Sequence, residues 1–221
     1  MAALAAAHPS AILLAAQLMS LLVYPAMDDT HDGRVLFGAV ALVVVPLTAW
    51  AIPHTRSTNW IAWALAIPAI ALSLASIVLD QPVLAATSSA LESALYFYAA
   101  AALIHYMLED YRVSVDELFA AAATFTLLAW GFAYAYLVCQ ALYPGSFTGM
   151  VEPDRQRRWI ELLFLSFSTL SGTGNGDIMP ISAQARALVM LQQFAGVGYI
   201  AAVVGRVIGM TLIRARIRGK R

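Results

Sequence analysis

Residues 169–180 read T-L-S-G-T-G-N-G-D-I-M-P, with Gly172, Gly174 and Gly176 at every second position. Glycine takes positive φ without a steric penalty, so alternate glycines let successive residues alternate in handedness and turn consecutive carbonyls to one side. A row of carbonyls facing one way can replace the water shell of a monovalent cation, here at Gly172, Thr173, Gly174 and Asn175. Ser171 adds a hydroxyl at one end of the row and Asp177 a carboxylate at the other. Polar backbone at membrane depth is tolerated only where protein buries it or where it lines a water-filled path. Several copies facing one axis would make such a path, so the spacing points to ion passage. A phosphate loop is the competing use of Gly-x-Gly-x-Gly, but this run follows a helical segment rather than a strand and lacks the P-loop lysine.

The elements that must position this loop are apolar helices. With 61% apolar and 12% charged residues and a mean hydropathy of +0.74, the chain differs from a soluble domain, in which roughly a quarter of residues are charged. The expected fold class is all-α and integral to the membrane. Six runs approach the roughly 20 residues that span a bilayer: 11–26, 35–52, 59–79, 83–107, 118–143 and 187–213. Pro46 and Pro68 fall inside the second and third, where membrane helices accept a kink. A seventh run, 159–170, is about 18 Å long as a helix and cannot cross, which predicts a re-entrant helix running into the glycines. The start of the chain has no basic residue before Arg34 and so lacks the positive region of a cleaved signal peptide; the first run is expected to stay as an anchor.

Charge sets the expected orientation. Arg56, Arg112 and a tail with Arg214, Arg216, Arg218, Lys220 and Arg221 mark one side, while Asp28, Asp29, Asp32 and Asp80 mark the other. By the positive-inside rule both termini face the cytoplasm and the re-entrant loop opens outward. Arg155, Arg157 and Arg158 run against this; they are expected in a solvated turret partly balanced by Glu152 and Asp154. Zero net charge implies no nucleic-acid partner, and the lone Cys139 allows no disulfide within the chain. His8, His31, His54 and His105 are scattered without ligand spacing, which argues against a metalloenzyme and leaves no catalytic constellation.

The order of fifth helix, short helix, glycine-rich loop ending in Gly-Asp and a last helix containing glycine resembles the pore module of the potassium-channel superfamily. Residues 163–180, L-F-L-S-F-S-T-L-S-G-T-G-N-G-D-I-M-P, and 184–191, Q-A-R-A-L-V-M-L, are similar to its bacterial members, over about 112–209. The resemblance implies a homotetramer of six transmembrane helices per chain plus a re-entrant pore helix and selectivity filter, sited in a bacterial inner membrane. It divides the chain into a four-helix scaffold, 1–110, and a pore half, 111–221. It implies permeant potassium, with sodium as a second ion, and no organic cofactor. The usual Thr-Val-Gly-Tyr-Gly is here Gly172, Thr173, Gly174, Asn175, Gly176. The family's threonine hydroxyl is missing at Gly172, and Asn175 replaces a tyrosine that resembles a packing strut. The expectation is a looser filter with reduced potassium preference; a filter rebuilt by hydrogen bonds from Thr173 and Asn175, and a collapsed one, are the alternatives. Asp177 stands at the family's outer mouth, with turn capping as its plain structural use.

Other positions carry paired expectations. The carbonyls ending the short helix favour a cation beyond them. Ser166, Ser168 and Thr169 either brace the loop or bond the preceding turn of their own helix, and Glu161 is expected to favour that helix's positive end. Gly196 sits at the position resembling the family's gating hinge, although Gly196, Gly198, Gly205 and Gly209 also suit close helix packing. Arg206, a costly charge inside a span, is expected to border the inner mouth and bond Glu109 or Asp110, or to reach the headgroups. Arg214, Arg216 and Arg218 suit anionic lipid or simple anchoring. No Lys or Arg lies between Arg56 and Arg112, so the first four helices lack sensor charges. Glu92, with Tyr96 and His105 further along, is expected to be hydrogen-bonded inside the bundle, with a proton or ligand site as the alternative.

Overall fold

A computed structural model describes residues 9–23, 46–48, 59–108 and 115–218, those beyond Arg206 by backbone alone. The elements are α1 (Pro9–Val23), α2 (Asn59–Leu79), α3 (Pro82–Leu108), α4 (Val115–Leu142), β1 (Phe147–Gly149), α5 (Trp159–Ser171), β2 (Ile178–Pro180) and α6 (Ala183–Arg218). Four helices, α2, α3, α4 and α6, are long and apolar enough to cross a membrane, and α1 and α5 are shorter apolar helices. Run 59–79 is reproduced residue for residue in α2, which continues through Pro68. The last run, 187–213, lengthens at both ends to Ala183–Arg218, because backbone hydrogen bonding does not stop where apolar side chains do. Run 35–52 lies outside the described residues apart from 46–48.

Tight connections set the neighbours. Asp80 takes a left-handed turn at φ 47°, and Pro82 opens α3 at a position where its missing N–H has no partner to lose. The chain therefore doubles back, and α3 packs between α2 and α4, with α1 against α4. Alanines at Ala62, Ala66, Ala99 and Ala123 let these helices approach closely around Leu13, Leu95, Leu127 and Trp130. The same core runs on into α5 through Trp159, Leu163 and Leu170. An edge-to-face aromatic series, Tyr96 to Trp130 at 5.6 Å and Trp130 to Trp159 at 5.2 Å, carries it from α3 to the first residue of α5. A second cluster of Tyr136, Phe147, Leu162, Leu165, Ile178, Ala185 and Val189 joins α4, both strands, α5 and α6.

Glu92 is buried in α3, where Ser88 donates to it at 3.2 Å and to the Ala69 carbonyl at 2.9 Å. One carboxyl oxygen is thus hydrogen-bonded inside the bundle as expected, while the other, Oε2, is buried with no hydrogen-bond partner among the described residues. Among the described residues no group of three or more His, Cys, Asp or Glu is placed to hold a metal ion.

Candidate functional site

Helix α5 aims the glycine-rich loop. Its N-terminus is capped by its own third residue, the Arg158 N–H donating to the Glu161 carboxylate at 2.6 Å, which places an anion on the positive end as expected. Its 13 residues span about 20 Å, well short of the roughly 30 Å hydrocarbon layer. The helix stops because Gly172 turns left-handed, at φ 73° and ψ 11°, a conformation that a side chain there would strain. Several groups then gather on one acceptor, the Ser168 carbonyl, the Gly172 N–H among them. The Thr173 and Gly174 N–H groups donate to it at 3.1 and 3.3 Å, and the Ser171 and Thr173 hydroxyls at 3.2 and 3.3 Å. The Ser171 and Thr173 hydroxyls also meet at 3.1 Å. Ser171, Gly172, Thr173, Gly174, Asn175, Gly176 and Asp177 are all exposed on the single chain.

The alternation of handedness holds at Gly172 and at Gly174, φ 65°, and ends there: Gly176 does not take positive φ. The loop's far end is already governed by strand pairing. β2 runs antiparallel to β1, Phe147 opposite Pro180 and Gly149 opposite Ile178, and the Met150 N–H donates to the Asp177 carbonyl at 3.2 Å. This pair was invisible to periodicity, since each strand has three residues.

The turret is exposed over residues 150–154, as its charges suggested, but Arg157 within it is not. Arg157 is 3% exposed and donates to the carbonyls of Val151 (3.1 Å), Arg155 and Glu152. Its main chain is held by Gln140 of α4, whose amide accepts from the Arg157 N–H at 2.7 Å and donates to the Arg157 carbonyl at 3.0 Å. Arg155 bridges Glu161 and Glu152, each at 2.8 Å, and the Glu161 bond above all holds its guanidinium above the ordinary arginine range. Glu161 joins Glu152 in balancing the charge, where Glu152 and Asp154 had been expected.

Helix α6 grips α5 from behind. Gln192, fully buried, donates its amide to the Ser166 carbonyl at 3.0 Å and the Ser166 hydroxyl at 2.6 Å, and accepts from the Tyr136 hydroxyl. Ser166 passes its own proton to the Ala129 carbonyl of α4 at 2.6 Å, so it braces neighbouring helices rather than its own preceding turn. One turn beyond Gln192, a methyl placed on Gly196 would stand 2.1 Å from the Leu170 carbonyl oxygen. Gly196 is thus a close-packing residue against the end of α5, while Gly198 and Gly205 have open space. Arg206, ten residues further along α6, pairs with Glu117 of α4 at 3.0 Å, both largely buried. Glu109 and Asp110, the expected partners, lie outside the described residues. Gln192 escaped the sequence reading, though a polar pair, Gln192-Gln193, amid apolar residues was a readable signal.

The geometry is that of a helix, a short helix ending in an exposed glycine loop, and a returning helix. Residues 122–212 match the family model described as Ion channel. The match covers about two fifths of the chain and supports the resemblance to the potassium-channel superfamily. That family is one of channels, not of enzymes, and with four apolar helices of sufficient length among the described residues the protein spans a membrane. Comparison with curated proteins gives no match, and neither does comparison with solved structures.

Proposed function

We propose that the chain is one subunit of a homotetrameric channel that passes monovalent cations along Gly172–Gly176, with Ser171 at the inner end of the row and Asp177 at its outer mouth. The observation that carries this reading is the exposure of the whole Ser171–Asp177 loop at the end of a helix too short to cross the membrane. One chain leaves those carbonyls without a facing partner, and four around an axis would give each a ring. A stripe of exposed apolar side chains on α6, Met190, Phe194, Val197 and Val204, at helical spacing, supports contact with further copies. In this reading each chain has six transmembrane helices, residues 1–110 are a scaffold without sensor charges and 111–221 the pore half. Both termini face the cytoplasm, so Arg214, Arg216 and Arg218 lie at the anionic lipid surface. Opening does not depend on voltage.

Selectivity follows from the loop's composition. Glycine at 172 offers no hydroxyl to the innermost ion, and the Asn175 side chain makes no hydrogen bond among the described residues, so the row lacks an aromatic strut. Potassium preference is reduced, and sodium passes as well. One observation favours the alternative of a rebuilt, potassium-preferring filter: Thr173 binds the Ser168 carbonyl through both its N–H and its hydroxyl. Bilayer recordings of purified protein under potassium and sodium gradients test the reading. Asn175→Tyr, at a position without positive φ, is expected to raise the potassium-to-sodium permeability ratio about fivefold, the order of one well-packed aromatic contact, whereas Gly172 at φ 73° does not admit the family's threonine without strain. A ratio that stays put means that looseness is not the cause, and a protein silent under both gradients is a nonconducting scaffold.

A further inference from the structure

Helices α5 and α6 meet on two matched rungs. Those on α5 are Ser166 and Leu170, those on α6 Gln192 and Gly196, and each pair is four residues apart, on one helix face. At the second rung backbone meets backbone with no room for a methyl. At the first, an amide does the joining. The Ser166 carbonyl can only accept, so the Gln192 nitrogen must face α5 and its oxygen must face Tyr136. Both amide hydrogens are used, one on the Ser166 carbonyl and one on its hydroxyl, and the hydroxyl's own proton goes to Ala129. Such a satisfied buried network permits one geometry only.

Packing alone does not require it. Leu162, Leu165, Ala185 and Val189 already supply an apolar contact between α5 and α6. A buried amide in a membrane helix is costly to keep, and this one grips α5 two residues before the Ser168 carbonyl on which Thr173 and Gly174 are gathered.

We propose that Gln192 is a positioning residue for the glycine-rich loop. By fixing the height of α5 against α6 through Ser166, it sets where the Ser168 carbonyl, and with it Thr173 and Gly174, stands relative to the ion path. The proposal rests on the conducting reading above.

The test is the reversal potential under a potassium–sodium gradient for purified wild-type protein, Gln192→Leu, Ser166→Ala and the double variant in planar bilayers. Leucine keeps the bulk and removes the amide; its permeability ratio is expected to change about fivefold, the worth of one net hydrogen bond. Ser166→Ala moves the ratio the same way, and the double variant goes no further than the larger single change, because one shared contact is lost. Leu13→Ala, a buried change on α1, lowers thermal stability and leaves the ratio alone. A lowered thermal midpoint with an unchanged reversal potential in Gln192→Leu overturns the proposal, as do independent effects that add. Where Gln192→Leu does not assemble, the reversal potential of Ser166→Ala decides by the same criterion. Wild-type protein that passes neither ion overturns the conducting reading, and this proposal with it.

Discussion

Gly196→Ala is expected to yield protein that does not assemble or conduct. The added methyl would lie 2.1 Å from the Leu170 carbonyl oxygen, 2.9 Å from its carbon and 3.0 Å from its Cα. These are main-chain atoms at the end of α5, and no flexible side chain can swing aside to relieve the contact. Helices α5 and α6 would have to separate, which breaks the Gln192–Ser166 hydrogen bonds one turn away and loosens the turn at Gly172. Overpacking of this kind costs about 3 kcal/mol or more when backbone must shift. The better intrinsic helix propensity of alanine, about 1 kcal/mol, does not offset it. Gly198→Ala meets nothing within 4 Å in the chain and is expected to retain the fold. Thermal unfolding in detergent, followed by particle sizing, checks the pair; a Gly196→Ala midpoint within error of wild type would show that the helices separate more easily than the geometry implies.

Arg157→Ala is expected to destabilise the protein by about 1.5–3 kcal/mol, the worth of buried hydrogen bonds from a charged donor. Its guanidinium holds three main-chain carbonyls of the turret; its loss leaves those of Val151 and Arg155 without this donor, while the Glu152 carbonyl keeps the Arg155 N–H and Glu161 keeps its pair with Arg155. Lysine is a poor replacement: one ammonium on a flexible stem cannot reproduce the planar fork that reaches carbonyls at Val151, Glu152 and Arg155 together. The structure should fail first in residues 150–156, so limited proteolysis there, alongside the thermal midpoint, is the measurement. Unaltered cleavage and midpoint would mean that the turret is held from elsewhere.

What could be read from sequence was whatever repeats along one element. The apolar runs that became α2, α3, α4 and α6 were legible because crossing a hydrocarbon layer demands length and composition, both local properties. The short helix Trp159–Ser171 was legible for the converse reason, being too short to cross. The loop's turn at Gly172 and Gly174 followed from residue type, but Gly176 did not obey it, since the strand partner Gly149 sits some thirty residues away in sequence and imposes extended backbone nearby. Arg157 illustrates the same limit. Three arginines close together read as a solvated surface, and only the fold reveals that one of them is wrapped by its own loop. Gly196 had two readings from composition, and its packing against the end of α5 became visible only with the position of Leu170. Arg206 was recognised as needing a partner, and one that it has, Glu117 on the neighbouring helix, was named by no spacing in the sequence.

Helix α6 has 36 residues, about 54 Å of rod where a hydrocarbon layer needs about 30 Å, so its basic end stands clear of the bilayer. On this rod Gly196 marks the close contact with Leu170. Arg218 lies about 33 Å beyond it on one arm and Gln192 about 6 Å on the other, at 1.5 Å per residue. A rigid tilt that carries the far end sideways by about 5 Å therefore moves the amide at Ser166 by only about 1 Å. Were α6 to turn as one body on that contact, a coarse push at its basic end would arrive beside the loop as a displacement on the scale of a single hydrogen bond.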